Sequence, residues 1–345
     1  MTSVRVSVVI PSFNHAQFIT QAVQSVLTQT EEDLELIVVD DGSQDNTLEV
    51  LAAFDDPRMK IIVQENRGAH AAINRGLALA NGRFLAILNS DDLYSPQRLE
   101  RLTQLLESEP DVSLAGSYIE VIDAHGRPQG IKEGYHTLEP WPLEKPHLSF
   151  RQGSDLRAAL LTENYFATTS NFVMRREWFE RIGPFRPLRY THDWDFALRA
   201  ALASRVALLP EPLLKYRIHG ANTIRENQAA MIFEICWCLA VHLPHHVADR
   251  AWFTAEPRFR RVEQLLHSIY TFGCDRVLNV MLMQDLSSNI HEALQLLDPQ
   301  DKSRQTYIAY ITQKLSQASP AHRINSTHAR IHLRSAINRI RGLFS

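Results

Sequence analysis

The sequence predicts an α/β protein, a mostly parallel sheet with helices on both faces, followed by a helical C-terminal region. Three observations carry that reading. Four apolar, β-branched runs recur through the N-terminal third, each halted by a polar cluster. The stretches between them space their apolar residues at helical period. Beyond about Thr223, strand signals give way to long helical spacings. Unbroken apolar runs mark strands buried on both faces, as in sheets built from βαβ units.

Val4–Ile10 is the first run, stopped by Pro11, and Ile19, Val23, Val26 and Leu27 give 16–28 an amphipathic helical face. Leu34–Val39 follows, ending at Asp40-Asp41-Gly42-Ser43, then a short helix over 47–54. Lys60–Val63 ends at Glu65-Asn66-Arg67-Gly68, and a helix runs over 70–80. Phe84–Leu88 ends at Asn89-Ser90-Asp91-Asp92, and Pro96 opens a helix reaching Ser108. Arg127–Ser154, with Pro128, Pro140, Pro142 and Pro146, reads as a long functional loop. Helices return near 157–161, 176–182 and 193–202, and a boundary near residue 225 divides an α/β unit (1–225) from a helical one (226–345).

Composition narrows the class. The chain has 345 residues, 45% hydrophobic and 22% charged, which excludes disorder and fibrous repeats. A net charge of −3 argues against a dedicated nucleic-acid binder. The cysteines Cys236, Cys238 and Cys274 cannot form a disulfide framework, so a reducing compartment is expected. The N-terminal apolar run is too short for a signal peptide, and 235–248 is too short and polar to span a bilayer.

Ligands of open α/β sheets bind outside the carboxyl ends of the strands. Here Ser12-Phe13-Asn14, Asp40-Asp41, Asn66-Arg67 and Asn89-Ser90-Asp91-Asp92 converge on that edge. Taken singly, Asp-Gly-Ser also reads as a turn with a helix cap, and Asp91-Asp92 as caps for the following helix. Adjacent carboxylates repel unless a cation sits between them, and Mg²⁺-type ions favour carboxylates plus phosphate oxygens. Gly-rich phosphate loops are absent, so metal and basic side chains such as Arg67 would neutralise a diphosphate.

These motifs resemble, in order and spacing, the family-2 glycosyltransferases of the GT-A fold. The resemblance rests on Val8–Asn14, Val38–Thr47, Asn66-Arg67-Gly68 with Asn74-Arg75-Gly76, and Leu88–Asp92. It continues through Met174-Arg175-Arg176, Ile182-Gly183-Pro184-Phe185, His192–Arg199 and Tyr216–Thr223, covering roughly 4–223.

The resemblance implies a Rossmann-like nucleotide-binding sheet and an inverting transfer from a nucleoside-diphosphate sugar, with UDP favoured. Pro11 and Phe13, with Asn14 beside them, would frame the base, and Asp41 would accept a hydrogen bond from it; Phe13 reads alternatively as a core aromatic. Asp91 and Asp92 would match the metal-binding acids of the D-x-D motif, with Mn²⁺ or Mg²⁺ as cofactor. Asn89 replaces the motif's leading Asp; it can still reach a ribose hydroxyl, but weaker metal binding is expected. His219 matches a His near the diphosphate, a further metal ligand or an ordinary loop residue. Asp193 takes the position of the catalytic base, which must accept the acceptor hydroxyl's proton. His192 replaces the family's usual Glu before it. His192 and Trp194 would face sugar or acceptor, Trp194 being equally readable as packed interior. Asp195 and Arg199, at i,i+4, read as a helix salt bridge.

The acceptor would be a saccharide or a lipid-linked one, in polysaccharide biosynthesis at the cell envelope, acting in the cytoplasm or at the inner face of the membrane. Residues 321–345 hold five Arg and no acid, with Leu333, Ile337, Ile340 and Phe344 on one helical face. Such a helix either touches a membrane surface or docks on its own domain. Cys236 and Cys238 with His242, His245 and His246 form a weak zinc pattern, since i,i+2 residues face apart on a helix. A sugar nucleotidyltransferase would need a Gly-rich basic loop after the first strand, which Pro11–His15 is not. A non-catalytic nucleotide-sugar binder of a polysaccharide assembly system is the alternative.

Overall fold

The computed structural model describes residues 4–132, 157, 160–161, 164–220, 226–247 and 275–317. Its first part alternates β1 (Val6–Ser12), α1 (Ile19–Leu27), β2 (Leu34–Asp40), α2 (Thr47–Ala52), β3 (Met59–Val63), α3 (Ala69–Leu79), β4 (Phe84–Ile87), a short β5 (Leu93–Tyr94) and α4 (Arg98–Ser108). Then come β6 (Val112–Ile122), β7 (Pro128–Lys132), β8 (Val173–Arg175), α5 (Arg176–Ile182), α6 (His192–Ala203) and β9 (Arg205–Arg217). The C-terminal part is helical: α7 (Gln228–Val247), α8 (Asp275–Met283), α9 (Ile290–Gln295) and α10 (Lys302–Gln317).

Among the described residues the strands form one sheet in the order β3-β2-β1-β4-β8-β6-β9-β5, with β7 paired to β6. The predicted class stands. The β3-β2-β1-β4 half is wholly parallel, and β6 pairs parallel with β9. Side chains alternate across each strand. Val9, Ile37, Val39, Leu85 and Ile87 bury on one face, where α3 and α6 lie. Val8, Ile10, Leu36, Val38, Phe84 and Ala86 bury on the other, under α1 and α4. Both faces being dry is why these strands read as continuous apolar runs. Gly76 lets α3 close on β1, since a Cβ there would come within 2.3 Å of Val9 Cγ1.

The second half of the sheet was not legible. β8 runs antiparallel between β4 and β6, and β5 antiparallel to β9. β9 contains Pro210 and Pro212, which ordinarily disqualify a strand. It tolerates them at an irregularity: the register with β6 jumps from Ser117↔Leu209 to Tyr118↔Pro212, so Pro210 and Glu211 have no partner in that pairing and Pro212 sits at its resumption. The long loop expected from Arg127 begins instead with β7; its remainder lies outside the described residues.

The helices beyond residue 225 pack into the same core as α3 and α6. Phe233, Trp237, Val241, Leu278, Ala293 and Ile311 join the cluster that holds Phe172, Phe185 and Phe196. The Trp237 indole donates to Ala293 O at 2.6 Å. Cys236 and Cys238 are buried side chains of α7, while His242 bonds Asp195, His246 bonds Leu198 O and His245 bonds Ser287 O. No zinc group forms among the described residues. No described helix is long and apolar enough to cross a membrane, and the basic segment 321–345 lies outside the described residues.

Candidate active site

In-register pairing sets the strand ends level. Ser12 pairs with Asp40, and Asp40 with Val63, so the polar residues that follow β1, β2, β3 and β4 meet on one edge. After β2 the chain turns at Gly42 (φ +80°), where Asp40 accepts from the Ser43 amide and hydroxyl at 2.9 and 2.6 Å. Asp41 then binds across to the next strand end. Its Oδ1 accepts from Arg67 N (2.9 Å) and Gln64 Nε2 (2.6 Å), and its Oδ2 from Gly68 N (2.8 Å). The carboxylate thus fixes the turn into α3, with one lone-pair direction left for a ligand. Pro11 is buried in β1, whereas Phe13 is 42% exposed at its end. Phe13 is therefore no core aromatic. Asn14, at φ +52°, accepts from Gln44 N at 2.7 Å and donates its own amide to Ser43 Oγ at 2.9 Å. Exposed Arg67 and Arg75 line an adjoining cleft of about 400 Å³ with Gln64, Glu65 and Ala71.

The end of β4 carries a second constellation. Ligand atoms of His15, Asp91 and His219 all lie within 4.8 Å of one another. His219 Nε2 is 3.0 Å from Asp91 Oδ2, and His15 Nδ1 is 2.6 Å from Ser90 Oγ, which orients its ring. Burial pushes the Asp91 carboxyl up, but the His219 hydrogen bond and the nearby His15 bring it below its ordinary value. Two imidazoles and one carboxylate fit a Mn²⁺-like ion better than Mg²⁺, which favours all-oxygen surroundings.

Asp92 turns the other way. It is 1% exposed, accepting from Ser170 Oγ at 2.6 Å and from Arg217 N at 2.9 Å. Burial and the neighbouring Asp91 raise its carboxyl well above the usual range. Asn89 also turns inward, its amide donating to Thr168 Oγ1 and its carbonyl accepting from Thr169 Oγ1, both at 2.9 Å. The structure therefore groups Asp91 and His219 with His15, and does not bring Asp92 or the Asn89 side chain to that group.

Asp193 sits in the first turn of α6, 8% exposed. Its Oδ1 accepts from Trp194 N and its Oδ2 from Asn164 Nδ2, both at 2.7 Å. Burial outweighs these bonds and lifts the carboxyl to about 6. His192 beside it is driven down to about 4 by burial, so it is neutral at pH 7 and leaves the acidity of Asp193 unassisted. Glu234 of α7 holds the approach to α6, accepting the backbone N–H groups of Arg189, Tyr190 and Thr191. Trp194 points into the core with its indole bonded to Leu160 O at 2.7 Å, so it forms no wall of the site. Asp195 bonds Arg199, Arg186 and His242, a buried scaffold.

A segment without motif or periodicity links Asp193 to the β4 end. Asn164 holds Asp193, while Thr168 and Thr169 hold Asn89 and Ser170 holds Asp92. His15 was missed as a partner of Asp91; its place just past β1 was the available signal. Asn164, in an irregular stretch without periodicity, offered none.

Comparisons with known proteins bear on the fold and the family. An uncharacterised glycosyltransferase of Nostoc is 32% identical over 226 residues, 63% of this chain and 66% of the relative's own length, so the chain spans just under two thirds of that protein. The Staphylococcus aureus TarS fragment 1–349, solved in complex with UDP-GlcNAc, superposes with TM-score 0.54 at 15% identity over 88% of this chain and 92% of TarS. A mannosyltransferase of Pyrobaculum calidifontis, solved with GDP-Man and Mn²⁺, gives TM-score 0.50 at 18% identity over 90% and 86%. These likenesses support the GT-A-type fold. The model of "Glycosyl transferase family 2" matches residues 7–183, just over half of the sequence, and takes in every strand end described above, so the chain belongs to that family.

Proposed function

We propose that this protein is an inverting glycosyltransferase that moves a sugar from a nucleoside-diphosphate sugar, with UDP as the favoured nucleotide, to a hydroxyl of a saccharide or lipid-linked acceptor. The observation that carries the reading is Asp193. It is a buried carboxyl poised near 6, tied by one short segment to the β4 end that carries Asp91. A general base works best when it ionises near the working pH.

In this reading the nucleotide lies along the strand ends, its base beside Phe13 and Asn14 and the Asp41 turn, its diphosphate towards Arg67 and the Asp91 group. His15, Asp91 and His219 would hold a Mn²⁺ ion. When bound, that ion supplies positive charge opposite the departing diphosphate. Asp193 takes the proton of the acceptor hydroxyl as its oxygen bonds to the anomeric carbon and the bond to the diphosphate oxygen breaks. Attack opposite the leaving group inverts the anomeric centre, and no covalent enzyme intermediate is needed.

Thermal-shift screening of UDP-glucose, UDP-N-acetylglucosamine and GDP-mannose, with and without Mn²⁺, tests donor binding, because a ligand of the native state raises the melting temperature. Donor hydrolysis in the same solutions separates a catalyst from a non-catalytic nucleotide-sugar binder. A donor that binds and is never turned over, by water or by saccharide acceptors, would overturn the enzymatic reading.

A further inference from the structure

We propose that Asn164 is the positioning residue for Asp193, holding one carboxylate oxygen and tying it through the segment Asn164–Phe172 to the donor edge. The proposal rests on Asp193 being the base.

Among the described residues, Asn164 is the only side chain seen to donate a hydrogen bond to Asp193; the other donor is the main chain of α6 itself, and the charge of Lys132 at the end of β7 also favours the ionised carboxylate. A carboxylate held only by its own helix could rotate about its side-chain bonds; a second donor at 2.7 Å fixes the plane from outside. Asn164 is itself held. Its main-chain and side-chain oxygens both accept from Ala167 N, at 3.1 and 3.3 Å, around a turn in which Ala167 takes φ +65°. A left-handed alanine costs about 1 kcal/mol and persists only where its surroundings demand it. Those surroundings are specific. Tyr165 and Phe166 are sunk in the core, and Thr168, Thr169 and Ser170 bond the Asn89–Asp92 strand end. Asn171 completes the anchor, accepting from Ser117 N at 2.9 Å and from buried Arg98 at 3.0 Å. One rigid turn therefore sets the distance between the carboxylate that accepts the proton and the strand end that faces the diphosphate.

A donor bonded to the charged form favours ionisation. Removing it raises the pH at which Asp193 ionises and frees the carboxylate to turn away from the hydroxyl. An Asn164 that served only the turn around Ala167, and not the carboxylate, would change stability and leave both that ionisation and kcat where they are.

The test uses the full chain with Asn164→Ala and Asn164→Asp. The second keeps the acceptor for Ala167 N–H, hence the turn, but sets a second carboxyl against Asp193, whose repulsion raises the ionisation at least as far as loss of the donor does. Two quantities are read. One is the pH dependence of nucleotide release from whichever of UDP-glucose, UDP-N-acetylglucosamine or GDP-mannose raises the melting temperature. The other is the carboxyl-carbon titration of Asp193 in aspartate-labelled protein, identified by its loss in Asp193→Asn. We expect kcat to fall about ten- to a hundredfold, KM for the donor to stay within about twofold, and both the acid limb and the titration to move up by about one pH unit. A folded Asn164→Ala or Asn164→Asp protein whose Asp193 titrates where the unmodified one does overturns the proposal. Full turnover by Asp193→Asn would instead remove the base assignment, so the two failures are distinguishable.

Discussion

Two aspartates lie two residues apart on the first turn of α6, both buried, and they titrate in opposite directions. Asp193 faces the Asn164 turn and the strand ends; burial takes its carboxyl up to about 6. Asp195 faces α7. Burial pushes it up as well, but Arg199, His242 and Arg186 outweigh that and hold it far below the ordinary carboxylate range. The difference teaches what burial alone does. Where burial outweighs two hydrogen bonds and the charge of Lys132, the carboxyl holds its proton to about pH 6, which suits a proton acceptor; ringed by Arg199, Arg186 and His242 it stays charged and joins α6, α7 and the loop before α6.

The sharpest way to break that contrast is Asp193→Asn. It should cut transfer by about three orders of magnitude. It should also stabilise the protein at pH 8 by up to about 3 kcal/mol. The sign follows from linkage: a carboxyl raised on folding favours the native state below its unfolded value near 4, and that contribution is lost as pH rises through about 6. The gain should therefore vanish at pH 4, and a variant that melts lower at both pH values refutes a carboxyl raised by burial.

Asp195→Ala should do the reverse, leaving two arginines and a histidine without their counter-charge. A loss of about 3–5 kcal/mol in urea unfolding is expected. Activity lost without any loss of stability would mean the cluster belongs to the site.

Asp91→Asn, or chelation of divalent ions, should lower transfer about a hundredfold and abolish the Mn²⁺-dependent thermal shift. An unchanged shift would move the ion elsewhere. The pH profile comes next in size: kcat/KM should rise about tenfold per unit below a midpoint near 6 and level off above it. The smallest effect is Ala167→Gly, which relieves the positive φ and should stabilise by up to about 1 kcal/mol with kcat unchanged, checked by melting and by turnover.

The donor side of this molecule was readable from its residues because it is built locally. Each strand end follows its own apolar run, and parallel pairing in register brings the ends level without further information. Phe13, Asp41 and Asp91 could all be placed that way, whereas His219 was reached only through the family resemblance. The fit of Asp92 and Trp194 could not, because which neighbour of a pair faces ligand and which faces core depends on contacts with Ser170 and Leu160, 78 and 34 residues away. Nor could β9, whose prolines argue against a strand until the irregular pairing with β6 accommodates them.

The sequence by itself determined the α/β class and the edge where the polar strand ends gather, since hydrophobic period and strand-end chemistry are encoded in adjacent residues; it pointed to Asp193 as the proposed base only through the family resemblance. Tertiary structure decided the rest. It joined His15 to Asp91 and His219, turned Asp92 inward, set Asn164 against Asp193 and gave two neighbouring aspartates opposite ionisation. Those outcomes depend on desolvation and on charges brought from distant parts of the chain, quantities that no local pattern contains.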